Sequence, residues 1–371
     1  MNRARISATL RPLAGAAVLG LGCLSAQAQT SQIDPSVAAS DSIGASELQT
    51  ISRFVSDWAP GLASDDMGQV AASRQRLSRP LAGSSVAVTF REAYAGVLIP
   101  ELQTLLAGDN IGSRLAALRL AGELATESSA ALILDYLDDD DEAVRYFAIG
   151  RMESVFEQAS AHPPALSPET TLDMVRRLGD RVVSGSALEA DAAVRALGGA
   201  MRLDQSGFDR ARNEAATLLG SKAGERVRAM ASAKVDESEL IVALDACAAA
   251  RSAVTASGWQ PDRSATSELI GLGGDVLALV LERFHDKTLP ETAQRTLDVQ
   301  TARAAENLIL FARRHHEFLR GGADSVPATG LGDLLESGQD RPFSLQAVAL
   351  LGRDGELVRG FGFEANRFIE R

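Results

Sequence analysis

Apolar residues recur at helical spacing along most of the chain. Leu48, Ile51, Phe54, Val55 and Trp58 share one face, Ser46 and Gln49 have capping-box spacing at the start, and Pro60-Gly61 closes the element. Order is therefore expected to begin near residue 45. Further helices are predicted over 66–78 and 87–107, with Pro100 kinking or splitting the second because it lacks a backbone donor. Another is predicted over 168–183, where Ser167 can cap and Pro168 takes a first-turn position at no cost. Residues 267–285 and 297–319 read as two more.

A repeat is visible within this pattern. Asp109, Arg114, Ala117, Leu118 and Leu124 are echoed 31 positions later by Asp140, Arg145, Ala148, Ile149 and Val155, with a second amphipathic segment at 129–137 between them. One helix pair per roughly 30 residues is the sequence sign of stacked helical hairpins. The run Asp141-Glu142-Ala143-Val144-Arg145 returns as Asp191-Ala192-Ala193-Val194-Arg195, and Val227-Arg228 repeats its core at irregular spacing.

An Asp-x-x-Val-Arg motif followed by a small residue and a Leu-rich second helix resembles HEAT repeats, especially the short phycobilisome-lyase type. The likeness is clearest over 109–158 and weaker over 188–203, 222–233 and 262–285, about half the chain. It implies an all-α chain forming an irregular α-solenoid of HEAT-like hairpins. It also implies framework roles for Asp141, Arg145, Asp191, Arg195 and Arg228. Gly271-Leu272-Gly273-Gly274, which lacks a preceding strand and a third nucleotide-loop glycine, reads as a turn between such helices.

The helical domain is expected over 45–325 and a C-terminal extension over 326–371. Within the extension, Asp354-Gly355 lies between apolar runs at 345–353 and 356–363, the short-range signal of a β-hairpin. The competing reading is a short helix from Ser344 ended by Gly352.

The opposite end reads as an export signal. Arg3, Arg5 and Arg11 precede an apolar stretch at 13–24, and Ala26-Gln27-Ala28 offers small residues for cleavage before Gln29. Residues 1–28 are thus expected to be a signal peptide and 29–44, rich in Ser, Asp and Ala, a disordered tether. Gly20 stands where a lipoprotein signal needs a large aliphatic residue, which disfavours lipid anchoring at Cys23. No later stretch is expected to cross a membrane, and the destination is periplasmic or extracellular.

Charge and cysteine content narrow the function. The formal charge of −12 becomes about −15 without the three leader arginines, a balance that disfavours gripping nucleic acid or anionic lipid. Only Cys247 would remain, so no internal disulfide can staple the mature fold. Its Ala-rich surroundings predict an inert buried thiol. No HExxH, paired-Cys, Walker or GxSxG pattern is present, and no cofactor is implied. The acidic run 138–142 lacks the alternation and glycine of a calcium loop and reads as a helix cap. Arg313, Arg314, His315 and His316 form a basic cluster at a predicted helix end, where cations offset the dipole.

The expectation is a non-catalytic exported scaffold that binds another protein. Candidate contact residues are Asp138 and Asp139 on one loop and the 313–316 cluster. An enzyme or lyase-like enzyme-associated subunit using Cys247 or that cluster is the alternative. A structural envelope component whose tail hairpin adds a strand to a partner is the third reading.

Overall fold

The computed structural model describes residues 32–83, 85–230, 235–286, 295–322 and 326–369, and over these the chain is all-helical. In chain order the helices are α1 (Pro35–Ala38), α2 (Ala45–Trp58), α3 (Met67–Ser78), α4 (Val88–Leu106), α5 (Ile111–Leu124) and α6 (Glu127–Asp135). Then come α7 (Glu142–Ala161), α8 (Pro168–Ser184), α9 (Ala187–Met201), α10 (Asp209–Ala229) and α11 (Glu237–Val254). The series ends with α12 (Arg263–His285), α13 (Thr296–Leu319), α14 (Leu331–Glu336), α15 (Asp340–Leu351) and α16 (Glu356–Phe361). The expected leader at 1–28 lies outside the described residues.

Caps explain most of the starts. Asp66, Asn110, Asp141, Ser167, Asp236 and Asp262 each accept a backbone N–H of the first turn. The cap of α2 lies two residues before the expected Ser46: it is Gly44, whose N–H donates to the Glu47 carboxylate at 3.0 Å. Pro100 neither splits α4 nor ends it. Pro100 and Gly96 one turn earlier are both exposed, so water can take the carbonyl bond that proline leaves open.

The helices lie in two rows. α3, α5, α7, α9, α11 and α13 pack in succession, each against the next. α8, α10 and α12 form the densest part of the other row, which α4 and α6 continue. Side chains between the rows make one hydrophobic core, from Ile51 and Phe90 through Phe156 and Leu197 to Leu277 and Leu308. Burying each such side chain contributes about 1.5–3 kcal/mol. Small residues bring backbones close: a Cβ on Gly220 of α10 would lie 2.6 Å from the backbone carbonyl carbon of Glu268 in α12.

Several expectations need correction. Residues 32–44 are not a disordered tether: Ile33 and Ala38 are buried, the Ala87 N–H donates to the Ala38 carbonyl at 2.9 Å, and the Thr89 hydroxyl donates to the Ser40 carbonyl at 2.7 Å. Glycines 271, 273 and 274 are no turn but lie inside α12. Cβ atoms there would strike the Arg367 guanidinium, Ile309 and Phe368, so these glycines admit α13 and the chain terminus against the helix.

The β-hairpin is also absent. α15 and α16 occupy its two arms, and Gly355 has φ −69°, whereas the tight turn needs positive φ at both central residues. Gly352 ends α15, as the competing reading has it. α12 passes the length and composition test for a membrane span, with mean hydropathy 1.4, contrary to expectation. Its apolar window is 78% buried, because α10, α13 and the chain terminus surround it.

Candidate protein-docking edge

The row α3–α13 carries its N-terminal turns along one edge, and a series of arginines fixes that edge. Arg145 of α7 donates to the Asp139 carbonyl at 2.7 Å and the Asp140 carbonyl at 3.1 Å, in the loop before α7. Its Nε reaches the Glu189 carboxylate in the first turn of α9 at 2.8 Å. Arg226 of α10 repeats the device one unit on. It donates to the carbonyls of Val182 at 3.0 Å and Gly185 at 2.9 Å, and forks onto Glu239 in the first turn of α11 at 2.8 and 2.7 Å.

Arg283 of α12 makes a third link, to the Val235 carbonyl at 3.1 Å and to Asp298 in the first turn of α13 at 2.9 Å. Arg114 of α5 begins the series, donating to the Leu106 carbonyl at 3.1 Å and pairing with Asp139. Each arginine thus satisfies one or more carbonyls at a helix end or in a connecting loop and ties them to an acid at a helix entry. Charge-assisted bonds of this kind are the stronger class. Below α5, Met67 of α3 sits over Gly112, and the Asn110 amide donates to Asp65 at 3.3 Å.

The framework residues implied by the repeat motif divide accordingly. Asp141 caps α7 and Arg145 is a true brace. Asp191 and Arg195 form an i,i+4 pair inside α9 at 3.1 Å, where Ser186 is the cap. Burial, and then the neighbouring Asp191, push the Asp245 carboxyl of α11 up. Arg228 lies in the last turn of α10 and pairs with buried Asp275, which Arg367 also holds at 3.0 Å. The motif match at 191–195 and 227–228 therefore marks other helix positions, and Arg226 went unrecognised beside Arg228.

The edge also exposes apolar side chains. Met67 of α3, Ile111 of α5, Tyr146 of α7, Leu188 of α9 and Ile241 of α11 are each 37–61% exposed, all within the first two turns of successive helices. At about 8–10 Å between neighbouring axes, the stripe runs roughly 30–40 Å. Exposed acids flank it: Asp66, Asp109, Asp140, Glu142, Asp236 and Glu237. The Ser238 hydroxyl and the Glu239 amide hold the Asp236 carboxyl below the usual aspartate value. The acids serve as caps or offset helix dipoles. Met67, Ile111, Leu188 and Ile241 have no such local duty, whereas Tyr146 hydrogen-bonds Arg195 of α9.

The other candidates are engaged in pairs within the fold, although Asp138 stays exposed. Asp139 is spent on Arg114, and Asp138 pairs with Arg177 at 2.6 Å and with Arg181. The 313–316 cluster is dispersed into the fold instead of forming an open basic patch. Arg313 pairs with Glu356 at 3.0 Å, and Arg314 donates to the Val326 carbonyl at 3.2 Å. His315 and His316 are buried: His315 bonds the Pro261 carbonyl at 2.8 Å, and Arg263 donates to His316 at 3.2 Å. Burial, then Arg263, lowers the His316 pKa and keeps the ring neutral. Cys247 is fully buried and burial pushes its thiol far up, so it is no nucleophile. Among the described residues no His, Cys, Asp and Glu grouping could hold a metal ion.

No protein-family model matches the sequence, and no curated protein matches it. A solved structure described as the crystal structure of an engineered protein is similar at 15% identity, over 88% of this chain and 86% of that one, with a TM-score of 0.31.

Proposed function

We propose that this chain is an exported, non-catalytic α-solenoid of HEAT-like hairpins that binds another protein along the edge formed by the first turns of α3, α5, α7, α9 and α11. The observation that carries the reading is the exposed row Met67, Ile111, Tyr146, Leu188 and Ile241. Contiguous exposed apolar surface rimmed by polar residues marks interaction sites, whereas single exposed apolar residues need no explanation. The acidic flank selects a partner whose contact surface is apolar and basic. The arginine braces support the reading by holding the entries of α5, α7, α9 and α11 in fixed register, so that a partner meets a preorganised surface. Residues 1–28 deliver the chain outside the cytoplasm, and the remainder holds by helix packing without a disulfide.

The test is a chain carrying Ile111→Ser, Leu188→Ser and Ile241→Ser. All three side chains are more than 40% exposed, so helicity and melting temperature should match the wild type. Native capture from the envelope fraction should recover a stoichiometric protein with the wild type and lose it with the variant. Equal recovery by both, or no stoichiometric protein with either, refutes the proposal.

A further inference from the structure

A separate feature lies at the α2–α4 end, away from the docking edge. The segment 32–38 closes over α2 and the start of α4, leaving a cavity of about 180 Å³ floored by Ile33, Pro35, Phe54, Pro80 and Val86. Arg76 and Arg79 line its mouth and also line a wider recess of about 570 Å³ outside it. Both arginines are exposed, and neither guanidinium has a hydrogen bond or ion pair among the described residues. Arg76 instead lies over the Trp58 ring, 5.3 Å from its centroid. Ser78 also lines the recess, with its hydroxyl turned inward and buried.

Two such guanidiniums stand together at the edge of this cavity. In a chain of net charge −12, the bracing arginines Arg114, Arg145, Arg226 and Arg283 are all matched by carboxylates. Two unmatched guanidiniums beside an apolar cavity therefore form a site with one chemical demand, an apolar body joined to an anionic head. We propose that this cavity binds a small amphipathic monoanion, its carboxylate or phosphate held by Arg76 and Arg79 and its hydrocarbon end buried against Phe54 and Val86. An apolar cavity of about 150 Å³ accepts a benzene-sized group, so the buried portion is on the order of six to eight carbons. The guanidinium fork suits either head group. Segment 32–38 forms one wall, so ligand binding should also protect its backbone from hydrogen exchange.

The experiment titrates the purified protein with octanoate and octyl phosphate, read by calorimetry and by Trp58 emission in a Trp259→Phe background. Controls are acetate, octanol and octyltrimethylammonium. Saturable one-to-one binding of the octyl anions is expected, with octanol at least tenfold weaker and neither acetate nor the cation binding. The Arg76→Gln, Arg79→Gln double variant alters only exposed groups, so it should fold normally and weaken octanoate at least tenfold while leaving octanol unchanged. Ala38→Phe should abolish both by filling the cavity. Absence of saturable octanoate binding, equal affinity for octanol, or indifference to the arginine substitutions overturns the proposal.

Discussion

Arg226 is the sharpest test of how the helices are held in register. The variant Arg226→Ala removes a two-bond fork to Glu239 at 2.8 and 2.7 Å and three carbonyl bonds, to Val182, Val183 and Gly185, at 3.0, 3.4 and 2.9 Å. The arginine side chain is 10% exposed and Glu239 23%, so water reaches the abandoned carboxylate only in part. A charged hydrogen bond contributes about 1.5–3 kcal/mol net, and bonds sharing one guanidinium are not additive. Breaking a buried pair costs about 3–5 kcal/mol, and partial hydration of Glu239 places this loss near 3 kcal/mol. Arg226→Lys keeps the charge but not the fork, and should lose about 1–2 kcal/mol. By contrast Arg228→Ala leaves Asp275 paired with Arg367 and should cost about 1 kcal/mol. Guanidinium titration followed by far-ultraviolet circular dichroism measures all three. A cycle with Glu239→Gln should give a coupling of about 1–2 kcal/mol. An Arg226→Ala loss below about 0.5 kcal/mol, or one no larger than that of Arg228→Ala, refutes the brace.

Three further outcomes follow from the same geometry. Gly220→Ala places a methyl against the α12 backbone and should cost about 1–3 kcal/mol in the same titration, whereas Gly150→Ala, with open space, should cost nothing. Cys247 should resist a thiol reagent in the folded protein and label fully in denaturant; rapid native labelling would contradict its burial. His316 titrates below the ordinary imidazole value of 6.5 because it is buried, so the unfolded chain binds the extra proton first. Stability should therefore be present above pH 6.5 and fall as the pH drops through that value toward the folded pKa. His316→Gln should flatten this fall in melting temperature.

Helix existence was legible because apolar periodicity and capping residues are local. Ser167-Pro168 marked the start of α8, and the elements at 66–78 and 297–319 fall almost where the pattern puts them. What failed depended on contacts distant in sequence. Gly271-Leu272-Gly273-Gly274 looks like a turn until Ile309 and Phe368 are seen against it. The Asp354-Gly355 signal was outweighed by Phe343, Leu350, Leu351 and Leu357, which bury at helical spacing. The repeat motif found Arg145 but then followed Arg195 and Arg228, because the bracing function moves from the start of α7 to the ends of α10 and α12. The signal that could have found Arg226 and Arg283 is an arginine near a helix end followed 13 or 15 residues later by an acid in the next first turn. The exposed apolar row was illegible for a related reason: its five residues come onto one edge only once the helices stack.

Site-directed photocrosslinking in the intact envelope tests the central claim most directly. A benzophenone amino acid placed at Ile111, Leu188 or Ile241 should give one discrete adduct of the same mass from all three positions. Leu345 on α15, exposed at least as much as any of them, should give none. Adducts from Leu345 alone, or none from the three edge positions, would contradict the assignment of this edge as the partner-binding surface.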